Sequence, residues 1–212
     1  MNVRYFLRNY PTAFVGAIIV LVFIVTAVGA EQLAPHDPNW VTPRDSVKPP
    51  DSEYIFGADH NGRDILSRVI YGARISLLIS MTSVTVGLIV GVSLGALAGW
   101  NSKYEIVIMR VVDMMLSFPG LITALAIVAI LGSGIENVIA ANMAYQIPMF
   151  ARLTHGLVLS TRPNTYVMAA RSVGLSDFHI LFRHIMPNIL GPIVVQGSLL
   201  IPDAIMTTSA LS

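Results

Sequence analysis

The sequence has 212 residues, of which 54% are hydrophobic and only 12% are charged, and its formal net charge is +1. A typical soluble domain carries about 25% charged residues, so an all-α fold that crosses a membrane several times is expected instead of a water-soluble one. The small net charge does not indicate a nucleic-acid partner. The absence of cysteine excludes disulfides and thiolate metal sites.

No nucleotide-binding loop accompanies this composition. The two lysines are Lys48 and Lys103, and neither follows the glycine-rich loop whose backbone amides hold phosphates in P-loop proteins. An ATP-driven process would therefore need another chain that binds ATP.

The first apolar segment, residues 13–30, has 18 residues without a charge and is preceded by Arg4 and Arg8. A spanning helix needs about 20 mainly apolar residues, so residues 1–30 are expected to form a cytoplasmic tip and a first transmembrane helix. A cleavable signal peptide is the alternative, because residues 28–30 resemble a cleavage site. Signal peptides have a shorter apolar run of about 7–15 residues, which favours an uncleaved helix.

Residues 31–72 mix prolines with acidic residues, namely Pro35, Pro38, Pro43, Pro49 and Pro50 with Asp37, Asp45, Asp51, Glu53 and Asp59. This composition predicts an extended, solvated loop outside the membrane. A short amphipathic helix is expected from about Gly62 to Tyr71. Its apolar face would hold Ile65, Leu66, Val69 and Ile70, and its polar face Arg63, Asp64, Ser67 and Arg68. This helix would lie in the membrane interface or pack on the outer end of the protein.

A second span is predicted over residues 75–100, where glycine recurs at every fourth position as Gly87, Gly91, Gly95 and Gly99. On a helix these positions form one stripe, along which a second helix backbone can approach closely. Residues 91–95 also match the G-x-S-x-G sequence of hydrolases. That motif needs a strand–turn–helix, and its position inside a span argues against a hydrolase.

Two further spans are predicted over residues 106–131 and 135–159, which contain Pro119 and Pro148 respectively. Arg110 and Asp113 are three residues apart near the start of the third span, so they can pair on one helix face.

Residues 160–188 are polar and contain two short helical patterns. Asn164 or Thr165 can cap the first helix and Gly174 can end it, while Ser176 can cap the second and Pro187 can stop it. A fifth apolar segment, residues 189–211, contains Asp203 next to Pro202. Two roles for Asp203 stay open, since it can line a translocation path or cap a helix break at Pro202.

Basic residues near the ends of spans mark the cytoplasmic side. Their distribution favours a cytoplasmic N-terminus and places residues 160–188 in the cytoplasm. No metal site is expected from His155, His179 and His184, because no two of them are four residues apart. A contact of His36 and Asp37 with an external cation stays open.

Residues 166–188 resemble the "EAA" loop of importer-type ABC permeases, a helix–turn–helix that rests in a groove of a cytoplasmic ATPase. Met168 stands where that family has Glu, and Met186 where it has Leu. The resemblance implies that the residues coupled to the ATPase are Met168, Ala169, Ala170, Gly174, Asp177, Phe178, His179, Phe182, Arg183 and Pro187. The glycine permits the tight turn, and exposed Phe178 and Phe182 suit an anchor in a pocket.

Residues 56–68 and 71–77 resemble two stretches of the dipeptide/oligopeptide/nickel permease subfamily, and they occur in the same order as in that subfamily. Residues 109–113, followed by Phe118-Pro119, are similar to its third-span signature. The resemblance implies a type I ABC-importer transmembrane domain whose core is residues 73–212. Members of the subfamily continue with an outer loop and a sixth span, so a truncated permease with about five spans is expected.

The resemblance implies the permease subunit of an ATP-driven importer of dipeptides or oligopeptides, working by alternating access in a bacterial or archaeal inner membrane. Expected partners are a second homologous permease, two cytoplasmic ATPases that bind ATP and Mg²⁺, an extracytoplasmic solute-binding protein, the peptide and membrane lipid. The chain itself is expected to be no enzyme and to hold no cofactor.

Three alternatives remain. A nickel importer belongs to the same subfamily. A carrier driven by an ion gradient would place broken helices or charges at mid-membrane around its substrate, and Asp203 is the residue that approaches this pattern. A membrane-embedded enzyme would need a nucleophile and a base, and the sequence offers no coherent set.

Overall fold

The computed structural model describes residues 11–211, and these are almost entirely helical. The helices are α1 (Pro11–Val28), α2 (Ala30–Leu33), α3 (Ile65–Trp100), α4 (Ser102–Leu116), α5 (Gly120–Leu131), α6 (Ile135–Thr161), α7 (Thr165–Ser172) and α8 (Asp177–Leu211). Within residues 11–211, β pairing is limited to an isolated bridge between Ala58 and Asp64. The predicted all-α class is confirmed, whereas Arg4 and Arg8 lie outside the described residues.

By length and hydropathy, three of the described helices can cross a membrane, namely α1, α3 and α8. Helices α4 and α5 together add a fourth candidate, but they are bent by 84° relative to each other. The expected single span over residues 106–131 is therefore broken. Pro119 stands at the break and precedes the first residue of α5, and a residue before proline is pushed out of the helical conformation.

Helix α6 covers the predicted fourth span and has 27 residues, although it is too polar to count as a span on hydropathy alone. It packs against α4, α5 and α8. Its buried residues include Asn142, Gln146 and Thr154. A helix that packs against several other helices does not need an apolar surface on every side. This explains why α6 occupies the predicted fourth span although its hydropathy is low.

The described residues divide into two compact units, with the boundary between Leu78 and Ile79. Helix α3 begins in the first unit, directly after Asp64, and runs without interruption past the boundary to Trp100. The separate amphipathic helix expected from Gly62 to Tyr71 is thus wrong, because these turns belong to α3. Its faces also differ from the expectation, since Asp64 and Ser67 are buried and Val69 is 56% exposed.

Asp64 is buried because it caps α3. Its carboxylate accepts hydrogen bonds from the backbone N–H groups of Leu66 and Ser67 at 3.3 and 3.0 Å, as N-capping side chains do. Burial alone would raise the pKa of Asp64, but the hydrogen bonds from Ser67 hold that pKa below its ordinary value.

The 34–64 loop, which precedes α3, is compact, whereas an extended loop was expected. Val47 N–H donates to the Asp59 carbonyl and Ala58 N–H to the Lys48 carbonyl, so two stretches of the loop lie side by side without forming a regular sheet. Gly57 and Gly62 have φ values of +77° and +72°. Tyr54, which belongs to this loop, is buried.

The second unit is built around α6. Phe150 and Val158 of α6 are fully buried and belong to one core with Ile180, Ile185 and Ile193 of α8. Helix α8 is α-helical over Asp177–His179, π-helical over Ile180–Ile185 and α-helical again over Met186–Leu211. The expected helix end at Pro187 is wrong, because α8 continues through this residue. The π-helical segment directly before Pro187 does not use the i→i−4 hydrogen bonds that proline would break.

The four glycines at residues 87, 91, 95 and 99 face α6. A Cβ added to Gly91 would lie 2.5 Å from the Ile147 carbonyl oxygen, and one added to Gly95 would overlap the Ala151 carbonyl. The contacts advance in step along both helices, from Gln146 opposite Gly87 to Val158 opposite Gly99. Helices α3 and α6 therefore run parallel, with backbones too close for any side chain on this stripe.

Candidate functional site

The 160–188 segment folds as two helical pieces joined by a tight turn. Gly174 has a φ of +82°, in the region that favours glycine. Around it, Gly174 N–H donates to the Arg171 carbonyl and Leu175 N–H to the Ala170 carbonyl, at 3.0 and 3.2 Å. Ser176 caps α8 by accepting from His179 N–H at 3.4 Å, whereas Asn164 makes no side-chain cap to α7.

An aromatic pair dominates the outer surface of this turn. The rings of Phe178 and Phe182 lie 4.5 Å apart, and the two residues are 72% and 52% exposed. With His179, Arg183 and Pro187 they line an open groove of about 570 Å³. A contiguous exposed apolar surface with a polar margin is typical of an interaction site.

The other residues of the predicted set lie on different faces. Met168 is 54% exposed, and Ala169 is also exposed, whereas Ala170 is buried. Asp177 lies 3.6 Å from Arg171, and both side chains are largely exposed. The groove therefore gathers Phe178, His179, Phe182, Arg183 and Pro187 of the predicted residues, and the remaining ones support or flank it.

Two arginines attach the 160–188 segment to the end of α3. Arg162 donates to the Gly99 carbonyl at 3.0 Å, near the helix end where carbonyls lack partners. The guanidinium groups of Arg162 and Arg171 lie 5.5 and 5.3 Å from the centre of the Trp100 ring, within the range of cation–π attraction. Sequence reasoning did not identify this contact, because no spacing rule relates Trp100 to residues 62 and 71 positions later.

Among residues 11–211, no group of three or more His, Asp or Glu side chains could hold a metal ion. The rings of His179 and His184 are 5.8 Å apart at the turn. His155 instead lies 3.0 Å from Glu105 of α4.

A second feature is a pocket where α5, α6 and α8 meet. This Asp203 pocket has a volume of about 140 Å³, and its lining includes Gly120, Asn142, Tyr145, Asp203 and Thr207. Asp203 itself is exposed. Helix α8 continues through Pro202, so the alternative that Asp203 caps a break there is wrong.

Sequence reasoning missed most of this pocket, because its residues come from three separate helices. The only local signal is Pro119 directly before Gly120. The sequence also suggested a pair between Arg110 and Asp113, whereas Asp113 contacts Arg152 of α6. A same-helix pair at three residues and a cross-helix pair are equally compatible with the sequence.

The chain matches known proteins along nearly its whole length. Residues 83–212 match the model of a binding-protein-dependent transport system inner membrane component, and residues 2–50 match the N-terminal transmembrane domain of oligopeptide transport permease C. A dipeptide transport system permease of Alkalihalophilus pseudofirmus is 39% identical over 97% of this chain and 68% of its own length. A glutathione transport system permease of Pectobacterium atrosepticum is 42% identical over 99% of this chain and 70% of its own length. A di/tripeptide transport system permease of Pseudomonas aeruginosa is 37% identical over 92% of this chain and 67% of its own length.

Proposed function

The chain belongs to the family of binding-protein-dependent transport system inner membrane components, and on that premise we propose that it is the permease subunit of an ATP-driven peptide importer. The relatives are permeases of dipeptide, di/tripeptide and glutathione transport systems. These substrates are all short peptides, which favours peptide import over the nickel alternative.

The observation that carries the proposal is the exposed aromatic pair Phe178 and Phe182 on the 160–188 segment. Exposed aromatic side chains on a rigid turn are typical anchors for a partner protein. The segment is also bonded to the end of α3 through Arg162 and Trp100. A partner that moves the segment would therefore move a spanning helix with it.

The importer is proposed to contain a second homologous permease, two cytoplasmic ATPases and an extracytoplasmic solute-binding protein. The ATPases would bind ATP and Mg²⁺, and this chain would perform no chemistry. Closure of the ATPases on ATP would push the 160–188 segment and turn the cavity between the permeases outward. The peptide would then leave to the cytoplasm after hydrolysis.

This arrangement requires a multi-pass protein of the inner membrane with its N-terminus and its 160–188 segment in the cytoplasm. The distribution of arginine supports that orientation, since Arg152, Arg162, Arg171 and Arg183 cluster around the segment. Basic residues concentrate on the cytoplasmic side of spans.

The test is Gly174→Val in the complete importer, reconstituted in proteoliposomes with its ATPases and binding protein. A β-branched residue at a φ of +82° is strained, so the turn should distort. We expect ATP hydrolysis to continue while ATP-driven peptide uptake falls about tenfold or more.

The matched control is Gly156→Val on α6, because a Cβ at Gly156 meets nothing within 4 Å and its φ is ordinary. This variant should keep uptake near the wild-type rate. Normal uptake in Gly174→Val would argue against the 160–188 segment as the link to the ATPases.

One observation favours a second candidate, a carrier driven by an ion gradient. The α4–α5 pair is broken by 84°, and the break leads into the Asp203 pocket, as broken helices do in such carriers. Peptide uptake into vesicles by this chain under a proton gradient, without ATPases, would establish that candidate. The family membership supports the importer instead.

A further inference from the structure

Asp203 lies in the half of the α8 span that is remote from the 160–188 segment. It is 17 positions beyond Met186, where the α-helical part of α8 begins, so it lies about 26 Å along the helix axis. The residue is exposed, and it lines the Asp203 pocket. Acidic side chains within transmembrane segments almost always face a water-filled cavity or another part of the protein, and the Asp203 pocket lies between three helices.

The Asp203 pocket is polar on several sides. Asn142 and Tyr145 line it from α6, Thr207 from α8, and Gly120 from the first turn of α5. A Cβ on Gly120 would lie 2.6 Å from the Tyr145 ring, so the ring rests directly on the glycine. This contact fixes the ring at the wall of the pocket.

The hydrogen bonds of these groups leave acceptors for a ligand. Thr207 Oγ1 donates to the Asp203 carbonyl at 2.9 Å, so its oxygen lone pairs stay available. Asn142 Nδ2 donates to Thr208 Oγ1 at 3.3 Å, which leaves the amide oxygen of Asn142 to accept. With the Asp203 carboxylate, the pocket offers acceptors and one negative charge, the complement of an ammonium group with its three donors.

The pocket is sized for one end of a peptide. A volume of about 140 Å³ is well below the roughly 300–1,000 Å³ of a typical small-molecule site, which suits an amino group with its Cα better than a whole dipeptide. A metal ion fits less well, because Asp203 is the only acidic or histidine side chain in the lining and hard cations take several oxygen ligands with more than one carboxylate in most protein sites.

We propose that the Asp203 pocket binds the α-ammonium group of the peptide during its passage through the permease. This inference rests on the proposed function, since it takes the substrate to be a peptide. Recognition of one terminus leaves the remaining length of the peptide unrestricted.

The experiment compares Asp203→Asn with the wild-type importer in proteoliposomes that contain the same binding protein and ATPases. The substrates are dialanine and N-acetyl-dialanine, both with the binding protein in saturating amount. Because both permeases receive peptide from one binding protein, the ratio of variant to wild-type uptake reports on the permease alone. We expect that ratio to fall about tenfold or more for dialanine, the loss of a charge-assisted hydrogen bond, and to stay near one for the acetylated peptide.

Glu136→Gln is the matched control, because Glu136 is an exposed acid in the first turn of α6 and does not line the pocket. It should transport both peptides at the wild-type rate. If Asp203→Asn does not assemble, Thr207→Val takes its place, with a smaller loss that again affects dialanine alone.

An equal loss for both peptides, or no loss for dialanine, would overturn the proposal. An equal loss would assign Asp203 a contact within the assembly. Failure of the wild-type complex to take up dialanine with ATP would instead overturn the proposed function, so the two failures are distinguishable.

Discussion

The 34–64 loop and the 160–188 segment are both polar connections between apolar helices, yet they use their side chains in opposite ways. In the 34–64 loop, acidic side chains bind the backbone of the loop itself. In the 160–188 segment, the aromatic side chains of Phe178 and Phe182 are exposed on the surface. Hydrogen bonds within the chain hold the first connection together, and the second presents an exposed aromatic pair that a partner can cover.

Two aspartates stabilise turns of the first connection. Asp51 accepts from the N–H groups of Glu53 and Tyr54, and Asp59 from those of Asn61 and Arg63. The N–H of Tyr54 lowers the pKa of Asp51 below its ordinary value. Short polar side chains that bind nearby backbone groups stabilise turns in this way.

The second connection has fewer such bonds. Ser176 makes the one cap in its turn at 3.4 Å, and Arg171 and Asp177 form an exposed ion pair at 3.6 Å, which adds little stability. Phe178 meanwhile keeps 72% of its surface exposed. Residues in the first connection should therefore govern stability, and residues in the second should govern interaction.

Gly62→Ala and Gly174→Ala test this difference most strongly. Both glycines have positive φ, but a Cβ at Gly62 would overlap the Thr42 carbonyl, whereas one at Gly174 meets nothing within 4 Å. Gly174→Ala should cost about 1–2 kcal/mol, the penalty of the left-handed conformation alone. Gly62→Ala should lower the free energy of local unfolding by about 3 kcal/mol or more, since a backbone clash is added.

Hydrogen–deuterium exchange of the purified permease in detergent measures both variants. Faster exchange should spread over residues 42–62 in Gly62→Ala and stay at residues 170–178 in Gly174→Ala. Equal effects would mean that the 34–64 loop is no more rigid than the 160–188 segment.

Ser67→Ala should have an intermediate effect. Ser67 is fully buried, its hydroxyl donates to Asp64 at 2.5 Å, and it accepts from His36 N–H at 3.0 Å. Loss of these bonds leaves buried partners unsatisfied, at about 1–3 kcal/mol. Exchange of the His36 amide should accelerate about tenfold or more.

Ser172→Ala is the matched change in the second connection, because the Ser172 hydroxyl donates to the Met168 carbonyl on an exposed helix surface. Its effect should stay within about 0.5 kcal/mol. A slow His36 amide in Ser67→Ala would show that the Ser67 hydroxyl does not hold the loop.

The sequence predicted the elements that depend on local pattern. The all-α class and the apolar segments of α1, α3 and α8 follow from composition and length. The tight turn at Gly174 was also expected, and the structure gives this residue a positive φ. These features depend on neighbouring residues, which the sequence displays directly.

The features that were missed depend on residues far apart in sequence. Asp64 and Ser67 are buried in contact with His36, and the Asp203 pocket is formed by α5, α6 and α8 together. Asp113 contacts Arg152, 39 residues later, instead of the neighbour Arg110. Periodicity reports the face of one helix, but it does not report which helix lies opposite that face.

Phe178→Ala should change stability little but weaken binding of the ATPase. The side chain is largely exposed, so the free energy of unfolding should change by about 0.5 kcal/mol or less. As half of the aromatic pair it should nevertheless contribute about 2 kcal/mol to binding of the ATPase, which is about a 30-fold loss of affinity. Thermal unfolding and binding of the purified ATPase subunit to the permease measure the two quantities.

Val173→Ala is the control for Phe178→Ala, because Val173 is 76% exposed in the same turn and does not line the groove. It should change neither stability nor binding. If Phe178→Ala binds the ATPase as tightly as Val173→Ala does, the aromatic pair is not the anchor. The 160–188 segment would then present its exposed surface to a different partner, and the contrast with the 34–64 loop would be one of stability alone.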